Sequence, residues 1–291
     1  MNRTDGLVRL RTATGSRWIV RDRDGDHSLE IGLAELLAMP LGEARDRLDA
    51  AISVAAVPFD DSAVLAPIDE QEIWAAGVTY ERSRDGRVDE SIDGTIYDRV
   101  YVADRPELFF KAPASRVVAA GEPVGIRADS SWNAPEGELG LVLNSAGELF
   151  GYVVGNDMSS RSIEGANPLY LPQAKVYDRS CALGPAIVPA WLVDGPFDIT
   201  LSVSRDDTVV FTGATSTAAM ARTPQELAGW LTAALEFPIG VVLLTGTGIV
   251  PGDDFTLAAG DIVTIDIAGV GTLVNPVVVV GSDRGPQRAV S

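Results

Sequence analysis

From residue 72 onward the chain breaks into short apolar runs punctuated by glycine, proline and Asn/Asp: EIWAAGV, ELFFKA, ELGLVLN, LFGYVVGND, AIVPAW, FDITLSVSR, TVVFTGAT, DIVTIDIAG and TLVNPVVVVG. Runs this short and this closely spaced are strands rather than bundle helices, and they predict a β-rich sandwich, roll or barrel. One helical segment interrupts them. TPQELAGWLTAALEF places Thr223 as N-cap, Pro224 at the first helical position and Glu226 at the third, a capping box.

The first 65 residues read differently. SRWIVRD and HSLEIGL have strand patterning, whereas LAELLAM and LGEARDRLDAAI have helical spacing. A linker rich in Pro and Asp, PFDDSAVLAPIDEQ, follows. The expected class is therefore α+β, β-rich, with a small N-terminal α/β domain over 1–65, a larger β domain over 66–281 and a flexible polar tail over 282–291. At 291 residues and 46% apolar content the chain can bury a sizeable core.

Composition removes several functions. A net charge of −18 disfavours nucleic acid and anionic membrane as partners, because both need a basic surface. A small anionic substrate is still compatible, since a local cation can override the global field. The lone cysteine, Cys181, allows no intrachain disulfide and no cysteine-based zinc site, and reads as a small buried filler. The start, MNRTDGLVRL, lacks the apolar core of a signal peptide, and no apolar run approaches the ~18 residues of a membrane span. A cytoplasmic protein is expected. His27 is the lone histidine and lies in RDRDGDHSLE, which reads as an exposed turn. A Ser-His-Asp triad or a histidine-rich metal site therefore has almost nothing to be built from. The DRDGD run has the wrong glycine and glutamate spacing for a calcium loop.

The stretch APEGELGLVL carries Glu136 and Glu138 at the mouth of an apolar strand. Residues two apart on a strand share a face, with α-carbons ~7 Å apart. NSAG then reads as a hairpin turn into LFGYVVGND. A two- or four-residue loop sets Gly155 opposite Glu136 and Asp157 opposite Ala134, so Asp157 joins both glutamates on one face. An odd-length loop or a bulge would break that alignment. Three carboxylates on one face repel unless protonated or bridged, and a hard divalent ion with oxygen ligands is the natural bridge. The bland alternative is three solvated charges at a strand end.

PEGELGLVL, GNDMSSR ending at Arg161, QAKVYDRSCALGP and LLTGTGIVPG together resemble the fumarylacetoacetate hydrolase family, in order and at family-like spacing over about residues 70 to 280. The resemblance implies a β-rich sandwich roll behind a small N-terminal domain. It also implies metal-ligand roles for Glu136, Glu138 and Asp157, with Mg²⁺ as the cofactor and Mn²⁺ or Ca²⁺ as alternatives. A long insertion between GVTYERSR and RPELFFKA, and the phrase NPLYLPQ before Lys175, resemble the branch that dehydrates 2-keto-3-deoxy sugar acids. That branch turns a 2-keto-3-deoxypentonate into 2-oxoglutarate semialdehyde, and the likeness implies acid/base roles for Lys175 and Glu107. The hydrolases of the family carry a His-Glu pair where this chain has Ser83 and Gly86, and an Asn where it has Thr79. That departure favours dehydration or isomerisation over hydrolysis of an acylpyruvate-like or other dicarbonyl acid, which is the alternative reading.

In the expected chemistry a 2-oxo acid chelates the metal through carboxylate and keto oxygens, and the ion stabilises an enolate. Lys175, set in what reads as an apolar-leaning strand, is the base or proton shuttle; a Schiff base and a plain surface lysine are the other readings. Glu107 is either the acid or half of a structural pair with Lys111. Arg161 either orients a metal carboxylate or is structural. The turn Thr245-Gly246-Thr247-Gly248 lacks the lysine of a phosphate loop but could offer N–H groups to a substrate carboxylate. Tyr80, Lys111, Arg161, Thr245, Gly246 and Thr247 are thus the candidate substrate contacts. The charged stretch from Tyr80 to Arg105 reads as a lid, with Tyr97, Asp98 and Arg99 facing sugar hydroxyls. A homodimer or homotetramer is the expected assembly.

Overall fold

A computed structural model describes residues 5–56, 64–81 and 95–281. The expected tail over 282–291, most of the expected lid, and positions 83 and 86 lie outside the described residues.

The strands are β1 Gly6–Thr12, β2 Gly15–Asp22, β3 Gly25–Leu29, β4 Val64–Leu65, β5 Glu72–Gly77, β6 Glu107–Ala112, β7 Val117–Val118, β8 Val124–Arg127, β9 Asn133–Ala134 and β10 Gly137–Leu143. They continue with β11 Leu149–Asp157, β12 Ser159–Ser160, β13 Cys181–Pro189, β14 Asp198–Arg205, β15 Thr208–Ser216, β16 Val241–Leu244, β17 Ile262–Ile267 and β18 Gly271–Val280. Eleven form a large mixed sheet along the path β3-β2-β1-β13-β11-β10-β16-β5-β6, with β4 on β1 and β7 on β13. Five form a second sheet in the order β15-β14-β17-β18-β8. The β-rich α+β reading thus describes the fold.

Three layers result, and strand alternation decides what fills them. Leu139, Leu141 and Val154 of the large sheet pack against Ile199, Leu201, Val203, Val263 and Ile265 of the small one. Val142, Val153, Phe150 and Leu244 point the other way. There they meet Leu33, Leu36, Leu37 and Leu48 from the helices Leu33–Ala38 and Leu41–Ile52. The N-terminal strands extend the same large sheet, since β1 pairs antiparallel with β13 at Leu7 and Ile187.

Local details depart from expectation in three places. The helix after Thr223 spans Pro224–Thr232, shorter than its sequence pattern. Thr223 Oγ1 accepts from Glu226 N–H at 3.1 Å, but the Glu226 carboxylate does not close the box; it pairs with Arg222 at 2.7 Å. His27 is not in an exposed turn: it is buried within β3, with Nδ1 2.7 Å from Val54 O and Nε2 3.3 Å from Asp22 Oδ1.

The third departure is the hairpin that carries the carboxylates. Leu143 pairs with Leu149, so residues 144 to 148 form a five-residue loop, closed by Asn144 N–H to Glu148 O at 2.9 Å. A bulge follows at once, because Val142 pairs with Gly151. Each irregularity alone would reverse the face of every later residue. Together they shift the register by two, which preserves the face. Asp157 consequently sits directly opposite Glu136, with its N–H 3.0 Å from Glu136 O, instead of opposite Ala134.

Candidate metal centre and active site

The start of β10 and the end of β11 deliver the carboxylates to the helix-covered face of the large sheet. One ligand atom from each of Glu136, Glu138 and Asp157 lies within 4.8 Å of the other two, and all three residues are buried. Solvated charges at a strand end are therefore excluded.

Cations of the chain meet two of the three. Lys175 is 1% exposed, and its Nζ donates to Glu136 Oε2 at 3.0 Å, Asp157 Oδ2 at 2.8 Å and Ser159 Oγ at 2.6 Å. Arg161 Nη2 lies 3.0 Å from Glu136 Oε1, so the carboxylate it orients is Glu136. Lys111 Nζ lies 2.5 Å from Asp157 Oδ1. Glu138 differs: it accepts from Gly246 N–H at 2.7 Å and has no ion pair among the described residues. Burial, with Asp157 and Glu136 alongside, raises its carboxyl well above the usual range. An acidic oxygen set that the chain leaves partly uncompensated fits a hard divalent cation.

Lys175 closes the one-turn helix Leu171–Lys175 and does not lie in a strand. A turn containing Pro172 has little helical stability of its own, so tertiary contacts fix it. On β6, Glu107 and Phe109 share one face by alternation, and Lys111 is the extra residue of a bulge, since Ile73 pairs with Ala112 and Trp74 with Phe110. Lys111 reaches Asp157, and the Phe109 ring centre lies 5.6 Å from Lys175 Nζ. Glu107 lies opposite Gly77 on β5, and its carboxylate occupies the space where a Cβ at Gly77 would stand. Glycine there is what leaves room for the Glu107 carboxylate to lie over the neighbouring strand.

The remaining expected residues border the centre in different ways. Thr245 turns its hydroxyl back to Leu139 O at 2.9 Å, and Gly246 spends its N–H on Glu138. Thr247 Oγ1 accepts from Ile249 N–H at 3.1 Å. Thr79 ties the same turn down by donating to Thr245 O at 2.7 Å. Tyr80 is buried, and its hydroxyl has no hydrogen-bond partner among the described residues. Burial, and then the nearby Glu138, raise its pKa and keep the hydroxyl protonated. Arg99 is exposed on the helix Thr95–Val102, whereas the side chains of Tyr97 and Asp98 lie outside the described residues. Cys181 is buried and its thiol is pushed up to about 12 by burial, which suits a filler and not a nucleophile.

Ser159 escaped the sequence reading. Its hydroxyl accepts from Lys175 and donates to Glu136 Oε1 at 2.8 Å, so it joins the candidate base to a candidate ligand. Its position two residues after Asp157 in GNDMSSR was the available signal.

With this geometry in hand, comparison with known proteins is decisive on ancestry. The family described as fumarylacetoacetate (FAA) hydrolase, C-terminal, matches residues 73–278. The chain belongs to the fumarylacetoacetate hydrolase family. Among curated members, a probable 2-keto-3-deoxyxylonate dehydratase of Haloferax volcanii is 49% identical over 241 residues, covering 81% of this chain and 83% of that protein. A 2-dehydro-3-deoxy-D-arabinonate dehydratase of Saccharolobus solfataricus is 41% identical over 243 residues, covering 81% and 82%. A solved family structure, 2-keto-3-deoxy-D-arabinonate dehydratase complexed with magnesium and 2,5-dioxopentanoate, superposes with a TM-score of 0.82 at 34% identity, covering 94% of this chain and 98% of that one.

Proposed function

We propose that this chain is a Mg²⁺-dependent hydro-lyase that converts a 2-keto-3-deoxypentonate to 2-oxoglutarate semialdehyde. The observation that carries the reading is the buried trio Glu136, Glu138 and Asp157 with Lys175 Nζ held on two of its members. It occurs in a chain 49% identical over 241 residues to a probable dehydratase of this class.

Glu136, Glu138 and Asp157 are the residues that would hold the ion. Mg²⁺ supplies Lewis acidity towards a 2-oxo acid, which makes the C3 protons next to the ketone easier to remove. Lys175, released as a neutral amine once Glu136 and Asp157 turn to the ion, would accept the C3 proton, and Ser159 fixes the direction of its amine. The C4–O bond breaks, and the hydroxyl leaves as water with a proton from Glu107. The resulting enone tautomerises to the aldehyde. Burial of Lys175, Ser159 and the three acids keeps bulk water from competing for these protons. Tyr80 contributes a donor for a substrate oxygen, because its hydroxyl is protonated and otherwise unused among the described residues. Arg161 and the turn Thr245 to Thr247 act next to it, Arg161 by holding Glu136 and the turn by shaping the wall behind Glu138.

The chemistry belongs to residues 66–281, with 1–65 as a companion unit. The protein works in the cytoplasm in sugar acid catabolism, and assembles as a homodimer or homotetramer. Exposed apolar side chains such as Leu169, Val209 and Val210 are surface that a second copy would cover. No helix among the described residues is long and apolar enough to cross a membrane.

Product analysis tests the reading. The purified protein is incubated with Mg²⁺ and each C4 epimer of 2-keto-3-deoxypentonate, and separately with acylpyruvates. Semialdehyde from one epimer is expected. Pyruvate plus a carboxylic acid from an acylpyruvate, with no semialdehyde, would make the chain a hydrolase instead.

A further inference from the structure

Lys111 is 0% exposed, and every route for its ammonium leads to protein. An ammonium carries three N–H groups. Three oxygens surround this one: Asp157 Oδ1 at 2.5 Å, Met158 O at 3.0 Å and Lys175 O at 2.5 Å. The first contact is an ion pair and the other two are hydrogen bonds, and a buried ammonium that gave up one of these oxygens for a substrate would lose part of what offsets its desolvation.

The three acceptors are not equivalent neighbours. Asp157 is a candidate metal ligand and Met158 is the next residue on the same chain segment. Lys175 O belongs to the last residue of a one-turn helix, where a carbonyl has no intrahelical donor. Ser180 Oγ donates to that same carbonyl at 2.9 Å. The backbone of Lys175 is thus gripped by two side chains, while its amine is gripped by Glu136, Asp157 and Ser159. A five-residue helix cannot hold its terminal residue by its own stability. The Lys111 ammonium touches both the segment bearing Asp157 and the backbone of Lys175; Ser180 backs the same junction, its carbonyl accepting from Met158 N–H at 3.0 Å while its hydroxyl holds Lys175 O.

We propose that Lys111 is a positioning residue: it fixes the catalytic Lys175 relative to the metal ligand Asp157 and does not touch the substrate. The proposal rests on the dehydratase reading, so wild-type turnover of 2-keto-3-deoxypentonate is measured first, and its absence refutes that reading rather than this one. Two variants then decide the role. Lys111→Met removes the ammonium. Lys111→Arg keeps a cation beside Asp157, and so retains the buried pair if the Met variant does not fold, but its planar fork cannot meet three converging oxygens.

Folded sites are counted by stoichiometric Mn²⁺ binding, and kcat and KM are determined per Mn²⁺-competent site at saturating Mg²⁺. A misplaced base of this kind costs about 100-fold in kcat. That loss is expected in Lys111→Met and at least about tenfold in Lys111→Arg, with KM changed less than about threefold. A rise in KM with kcat retained would make Lys111 a substrate contact. A lower Tm with wild-type kcat per site would make it purely structural. Either result, in whichever variant folds, overturns the proposal.

Discussion

Glu138 is the carboxylate whose charge the chain itself does not neutralise. Lysines and an arginine reach Glu136 and Asp157, while Glu138 receives one backbone N–H. Removing its charge should weaken divalent-ion binding while the metal-free chain still folds. Glu138→Gln is expected to weaken Mn²⁺ affinity at least about 100-fold by titration calorimetry, the upper end for a lost interaction at a metal site. Wild-type affinity in that variant would remove Glu138 from the ligand set. The same carboxyl sets a pH signature. Above its ordinary value of 4.5 the unfolded chain has released this proton while the folded chain holds it, because burial and the flanking acids raise the folded pKa. Metal-free stability therefore falls as pH rises from there through the raised value. Asp22 has the opposite sign. Partial burial pushes its carboxyl up, but the N–H groups of Asp24 and Gly25 and the His27 ring hold it below its ordinary 3.8. Its contribution is present above 3.8 and is lost as pH falls through the lower folded value. Tm against pH in EDTA should decline on the alkaline side for the wild type and flatten there in Glu138→Gln; parallel curves would contradict the assignment. At this scale the clustering of Glu136, Glu138 and Asp157 was legible from a period of two, although the register behind it was not, since an odd loop and a bulge cancel. Ser159 and the three oxygens around Lys111 were not, since sequence does not encode which distant backbone carbonyls a buried cation will find.

The β10–β11 hairpin is the element on which the site turns. Its five-residue loop and its bulge each displace the ladder by one, and only their sum leaves Asp157 with the glutamates. Deleting Ala146 alone should shorten the loop to four residues and set these irregularities out of phase. Asp157 would then face the small sheet, and Val153 and Val154 would exchange layers. Loss of Mn²⁺ binding and of cooperative unfolding is expected by calorimetry. A folded, metal-binding deletion variant would show that the ladder is not what places Asp157. The strand ladder was readable from alternation and turn residues, but the loop length was not, because NSAG supports several turns and Gly147, at φ 75°, serves the longer one. β16 escaped notice for a related reason. VVLL is buried on both faces between β10 and β5, so it has no alternation to reveal it. The apolar flanks of Lys175 read as a strand, because a one-turn helix held by tertiary contacts leaves no periodic trace.

Across the whole molecule, the large sheet is a shared wall. One face joins the small sheet, the other carries the N-terminal helices, and the carboxylates emerge at the end of the strands that both layers clamp. Rigidity at the metal centre is therefore supplied by two hydrophobic layers, and the positions of its side chains are set by β6, β10, β11 and the Lys175 turn together. The overall charge of −18 leaves no general attraction for an anionic sugar acid, so recognition falls to the local cations and a bound divalent ion. The proposed chemistry requires one ion gripped by Glu136, Glu138 and Asp157. Diffraction from crystals equilibrated with Mn²⁺, with anomalous data collected at the manganese edge, locates that ion directly. A single anomalous peak within about 2.0–2.3 Å of an oxygen from each of the three carboxylates is the expected result. A map with no peak there, with Lys175 still donating to Glu136 and Asp157 at saturating Mn²⁺, would contradict it.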